Sequence, residues 1–179
     1  MVLFIVVGMP AAGKDIARQY AASRGIPYFA SGDIVRGEVK KRGLNPDAAN
    51  MAAVSTELRG ADGLGVTRHV LAAALASGGK IAFMEGMRSW PEIELIRGET
   101  KAIVIAFVAP RGLRLGRIIS RGRSDDSAQA FEERDMREIA YGAAIPIALA
   151  DEYLLNTSSP EEALREMAAI VERHEGAGR

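Results

Sequence analysis

Five apolar runs punctuate the chain, and between them apolar residues recur at helical spacing. Val2-Leu3-Phe4-Ile5-Val6-Val7 is unbroken, and so is Ala102-Ile103-Val104-Ile105-Ala106-Phe107-Val108, which reads as a central strand buried on both faces. Shorter runs at 26–30, 80–84 and 153–155 supply three more strands. Helical patterns fill the intervals. In the first, from about 14 to 24, Ile16, Ala17 and Tyr20 share a face, and Gly25 stops it. Ser31 opens the next as an N-cap, running to about Arg42. Asn45-Pro46-Asp47 begins another, with Pro46 near the first turn, running to Gly60. Further helices span 63–77, a short piece from Ser89, 110–121 and 128–141, with Pro146 interrupting any continuation. Ser159-Pro160-Glu161-Glu162 combines a cap, a proline at the first helical position and a capping box, and starts the last helix, to about His174. Strands alternating with helices predict an α/β fold: a five-stranded parallel sheet with right-handed crossovers and helices on both faces. Residues 31–60 form a helical excursion within a single domain, 1–179.

The 179 residues carry 23 basic and 23 acidic side chains, so bulk charge does not suit the chain to coating nucleic acid. Any anion site must come from locally gathered arginines. There is no cysteine, hence no disulfide framework and no thiolate metal site. No segment has the length of a membrane span or the flank of a signal peptide, and the expected location is cytoplasmic.

The first strand runs into Gly8-Met9-Pro10-Ala11-Ala12-Gly13-Lys14-Asp15, which leads into the first helix. The spacing G-x-x-x-x-G-K between strand and helix is that of a phosphate-binding loop, the P-loop or Walker A motif. Glycines let successive N–H groups turn toward a phosphate, and the helix points its positive end at the same anion. Lys14 reaches the β- and γ-phosphates of ATP. The eighth position, usually Ser or Thr on Mg²⁺, is Asp15, itself a hard oxygen ligand. Glu85, at the end of the third strand, is the second metal candidate. Asn156 follows the fifth strand, where it either contacts the donor base or serves a turn. Trp90 reads as a packing residue, and Met51, Met84 and Met87 as core or pocket filler.

Arg36 follows Ser31-Gly32-Asp33, Arg88 follows Glu85-Gly86-Met87, Arg117 and Arg121 share a helical face, and Arg123 precedes Asp125-Asp126 and then Arg134. These spacings resemble the nucleoside monophosphate kinases, adenylate kinase in particular, over nearly the whole chain. Ser31-Gly32-Asp33-Ile34-Val35-Arg36 is similar to that family's Thr-Gly-Asp-x-x-Arg, and Glu85-Gly86-Met87-Arg88 to its Asp-Gly-Phe-Pro-Arg, with Glu for Asp and no proline. The resemblance implies that Ser31, Asp33, Arg36 and Arg88 bind the acceptor and that Arg117 stacks on the donor base. It also implies that Arg121, Arg123 and Arg134 close a short lid, about 118–128, over the transferring group, without a zinc insert. More closely, Gly-Asp-Ile-Val-Arg, Gly-Arg-Ser-Asp-Asp and Ala-Asp-Glu-Tyr resemble an archaeal family of P-loop kinases related to adenylate and cytidylate kinases and to dephospho-CoA kinase.

The implied activity is Mg²⁺- and ATP-dependent transfer to a small nucleotide, most simply a nucleoside monophosphate. Two other readings stay open. One is transfer to a hydroxyl, as in dephospho-CoA kinase, with Asp33 as base. The other is an NTP-driven assembly or regulatory factor.

Overall fold

The computed structural model describes residues 1–123 and 126–176. Ser124 and Asp125, which belong to the expected lid, and the last three residues of the tail lie outside the described residues. The five strands are β1 (Val2–Val7), β2 (Tyr28–Ala30), β3 (Ile81–Glu85), β4 (Lys101–Val108) and β5 (Glu152–Leu155). They form one parallel sheet in the order β2-β3-β1-β4-β5. The helices are α1 (Asp15–Ser23), α2 (Ser31–Lys41), α3 (Ala48–Arg59), α4 (Gly65–Ala76), α5 (Trp90–Glu99), α6 (Arg111–Arg121), α7 (Ala128–Ala140), α8 (Ala144–Ala148) and α9 (Pro160–Gly176).

The strand period of two separates the apolar residues into two layers. Leu3, Ile5 and Val7 of β1 and Ala102, Val104 and Ala106 of β4 pack toward residues of α2–α5. Phe4 and Val6, with Ile103, Ile105 and Phe107, pack against α1 and α9. Both strands are therefore buried on both faces, as their unbroken apolar runs predict. Three aromatic rings at register positions bind β2, β3 and β1 together on the second face. Phe4 stacks on Phe83 at 5.3 Å between centroids, and Tyr28 on Phe83 at 6.0 Å. Such pairs add about 0.5–1.5 kcal/mol each beyond area burial.

Local chemistry moves some predicted boundaries. β2 begins at Tyr28 because Pro27 has no N–H for the ladder, although its carbonyl accepts from Phe83 N (2.9 Å). Ser31 is the first residue of α2, not its cap; Ala30 takes that place in extended conformation. Asp47 caps α3, its carboxylate accepting from Asn50 N at 2.9 Å, which puts Pro46 before the helix. Pro146 sits within the separate short helix α8. Ser89 caps α5 with Glu92 in a capping box. Among the described residues no helix is long and apolar enough to cross a membrane.

Candidate active site

The Gly8–Lys14 loop leaves the carboxyl end of β1, the central strand, between β3 and β4, where open α/β sheets bind ligands. Its carbonyls are gripped from several sides. Lys14 Nζ donates to Gly8 O (2.9 Å) and Met9 O (3.3 Å). Arg114 Nη1 donates to Pro10 O (3.0 Å), Arg117 Nη1 to Ala11 O (3.2 Å), and Asn156 Nδ2 to Ala12 O (2.9 Å). Ala11 holds φ 59°, a left-handed conformation unusual for a residue with a Cβ. Such strain persists only where surrounding contacts fix it. Gly13 (φ 94°) admits no side chain, because a Cβ there would lie 1.9 Å from Asn156 Nδ2. Asn156 is thus buried against the loop backbone rather than serving a simple turn, and Arg117 Nη2 donates to its carbonyl (2.8 Å).

Lys14 lines a cleft of about 220 Å³ with Gly8, Pro10, Glu85, Arg88 and Glu138. Burial pulls its ammonium below the usual lysine range, offset in part by the carboxylates of Glu85, Glu138 and Asp15. Asp15 is exposed at the first turn of α1, whose positive end favours a carboxylate. Glu85 accepts from Tyr28 Oη at 2.8 Å, with Arg18 Nη2 4.0 Å away and the Arg18 guanidinium 4.5 Å over the Tyr28 ring. Burial, then the charge of Glu85, pushes the Tyr28 phenol far above its usual range, so it remains a donor. Tyr28→Phe leaves that carboxylate without its donor. A hydrogen bond to a charged group contributes about 1.5–3 kcal/mol, so the variant is expected to melt about 3–10 °C lower in a thermal scan.

A second cleft, of about 300 Å³, opens between α2, α3 and the start of α5. Val35, Met51 and Val66 give it apolar surface, while Ser55, Thr56, Arg59 and Arg88 give it polar groups. Gly86 and Arg88 line both clefts. Gly86 (φ 99°) lets the chain pass Ser31 closely, since a Cβ there would lie 2.0 Å from Ser31 Oγ. Arg88 Nε pairs with Glu138 Oε2 at 2.8 Å, and the guanidinium groups of Arg88 and Arg59 each stand 5.3 Å from the Tyr141 ring centre.

Of the arginines singled out in the sequence, Arg88 and Arg117 reach the P-loop region. Arg36 is drawn to its own helix, pairing with Asp33 Oδ1 (2.8 Å), while Asp33 Oδ2 takes Arg18 (3.3 Å). Arg121 and Arg134 converge on Asp126, at 2.6 and 3.1 Å, and the Asp126 side chain is fully enclosed. Arg123 is exposed, and its backbone N–H donates to Asp126 Oδ2 (3.1 Å). Arg36 and Arg123 stand outside the residues that line the two clefts. Arg59, Arg114, Asp135, Glu138 and Tyr141 were not among the expected site residues. No group of three or more His, Asp or Glu gathers as a metal site among the described residues. Glu85 and Asp15 nonetheless offer the hard oxygen donors that suit Mg²⁺, which typically takes only one or two carboxylates plus phosphate and water.

Comparison with known proteins agrees with this architecture. No protein-family profile matches the chain. It is similar over 99% of its length to the whole of the shikimate kinase from Aquifex aeolicus, with TM-score 0.57 and 14% identity, which shows the same fold. The UPF0200 protein of Methanosarcina mazei is 40% identical over 147 residues, 79% of each chain. That of Hyperthermus butylicus is 35% identical over 179 residues, 98% of this chain and 96% of its own. With identity at this level along nearly its full length, the chain belongs to the UPF0200 protein family.

Proposed function

We propose that this protein is a kinase that moves the γ-phosphoryl group of ATP to a small anionic acceptor, a nucleoside monophosphate. One observation carries the reading: the P-loop cleft and the second cleft meet at Arg88. A guanidinium at that junction can bind the phosphate that accepts the transferred group. The loop amides and Lys14 hold the donor β- and γ-phosphates, with Arg117 toward the donor base. Arg88, joined by Arg59 and with Ser31 at the rim, receives the acceptor. Arg121 and Arg134, held on Asp126, and Arg123 lie outside both clefts, so they would have to swing toward the phosphates to close over the reacting group. Asp15 and Glu85 would hold Mg²⁺, which when bound offsets the charge that builds on the phosphates. An acceptor that is already ionised needs no general base, so positioning and charge neutralisation suffice.

Transfer to a hydroxyl has less support, because both oxygens of Asp33, the expected base, are engaged by Arg18 and Arg36. The test is a ³¹P or coupled-enzyme screen of ATP and GTP against the nucleoside and deoxynucleoside monophosphates and dephospho-CoA. The expected result is a nucleoside diphosphate formed in step with ADP. Steady nucleotide hydrolysis that no acceptor stimulates would instead point to an NTP-driven assembly factor.

A further inference from the structure

A buried ion pair lies beside the P-loop. Arg114 on α6 and Asp135 on α7 are each 8% exposed at the side chain. They meet in a two-pronged contact, Nη1 to Oδ1 and Nη2 to Oδ2, both 2.7 Å. Arg114 also stands 5.1 Å from the ring centre of Phe131, which is fully buried. Its Nη1 makes a third contact, to the carbonyl of Pro10 at the crest of the P-loop (3.0 Å).

That third contact has a geometric consequence. The peptide joining Pro10 to Ala11 is planar and trans, since no cis bond occurs among the described residues, so its C=O and N–H point in opposite directions. Gripping the Pro10 carbonyl therefore fixes where the Ala11 N–H points. It does so at Ala11 itself, whose φ of 59° must be held by its surroundings. Asp135 in turn fixes the fork of Arg114, and it lies beside Arg134 and one turn before Glu138 on the same helix. For stability alone, a buried ion pair is commonly matched or exceeded by an apolar pair of similar volume. An apolar pair cannot donate to Pro10.

We infer that Arg114 and Asp135 are positioning residues. Together they form a strut that holds the crest of the phosphate loop in its anion-binding shape and ties it to the helix bearing Arg134 and Glu138. The inference rests on the nucleotide-binding part of the proposed function.

The test separates positioning from packing. The double variant Arg114→Met/Asp135→Leu replaces the pair by apolar side chains, and its melting temperature and its Kd for MgATP are compared with those of the wild-type chain. The expected result is a melting temperature within about 3 °C of wild type and MgATP binding weakened about tenfold or more, the scale of one charge-assisted hydrogen bond. Wild-type affinity in the folded double variant would overturn the strut. Should the double variant not fold, Arg114→Lys decides. A lysine keeps the charge opposite Asp135, but one ammonium cannot reproduce the fork and the Pro10 contact. Its Kd should rise severalfold, and an unchanged Kd overturns the inference. A wild-type chain that binds MgATP but phosphorylates no acceptor sinks the kinase reading and leaves this comparison to decide the strut. A wild-type chain that binds no nucleotide overturns both.

Discussion

Lys14→Ala is expected to slow phosphoryl transfer by about 10²–10³, the scale seen when one group that stabilises developing charge is removed. The ammonium hangs over the loop on two of its carbonyls, Gly8 O and Met9 O, and those bonds are of the kind that phosphate oxygens would take over. A loss below tenfold would remove Lys14 from the transfer step. The same residue gives a signature in stability. Burial sets its folded-state pKa below the unfolded value of 10.5. Well below the folded-state pKa both states carry the proton, and the cost of burying the charge is fully present. As pH rises through the folded pKa toward 10.5, the native state releases its proton first, so unfolding takes up a proton and the native state gains stability. The wild-type chain should therefore gain melting temperature relative to Lys14→Met between pH 7 and about 10.5. A gap that stays flat, or that moves against the wild type, would show that Lys14 is not desolvated as described.

What could be read from the chain alone follows from how local each signal is. The P-loop is eight consecutive residues between an apolar run and a helix, so its place at the head of β1 is legible without any partner. The double-sided burial of β1 and β4 is legible for the same reason: one unbroken run of β-formers has no polar face to offer solvent. Residues that work across the fold were less legible. Arg114 reaches Pro10 across 104 positions of sequence and Asp135 across 21, and nothing local separates it from Arg111, which pairs with Glu132 at the surface. Its one sequence signal is the stripe Arg114, Arg117, Arg121 along one side of α6, a polar face on a helix that follows a buried strand. Arg59, Glu138 and Tyr141 gave less, because each enters the site only through the packing of α3 and the α7 end against Arg88. Arg36 shows the opposite case. Its spacing marked it for the acceptor, but an acid three residues earlier on the same helix is an immediate partner and captures it.

Arg88→Ala should produce the second large effect, a fall of about 10²–10³ in kcat/KM for the acceptor with little change in the KM for ATP. Arg88 stands where the two clefts join, so removing it strips the cation from the point of transfer without touching the loop. Lysine is not a conservative replacement here, since a point charge loses the planar two-pronged hold on phosphate, and most of the loss should persist in Arg88→Lys. The carboxylate of Glu138 sharpens the test. At 2.8 Å from Arg88 Nε it occupies the guanidinium, and an acceptor phosphate must compete with it. Glu138→Gln keeps the shape and removes the charge, and it should lower the acceptor KM severalfold. The two substitutions therefore move acceptor affinity in opposite directions from one ion pair. Steady-state kinetics on the best acceptor from the screen reads both. A drop under threefold in Arg88→Ala, or an acceptor KM that rises in Glu138→Gln, would relocate the acceptor phosphate away from this junction and require another cation, with Arg59 the next to examine.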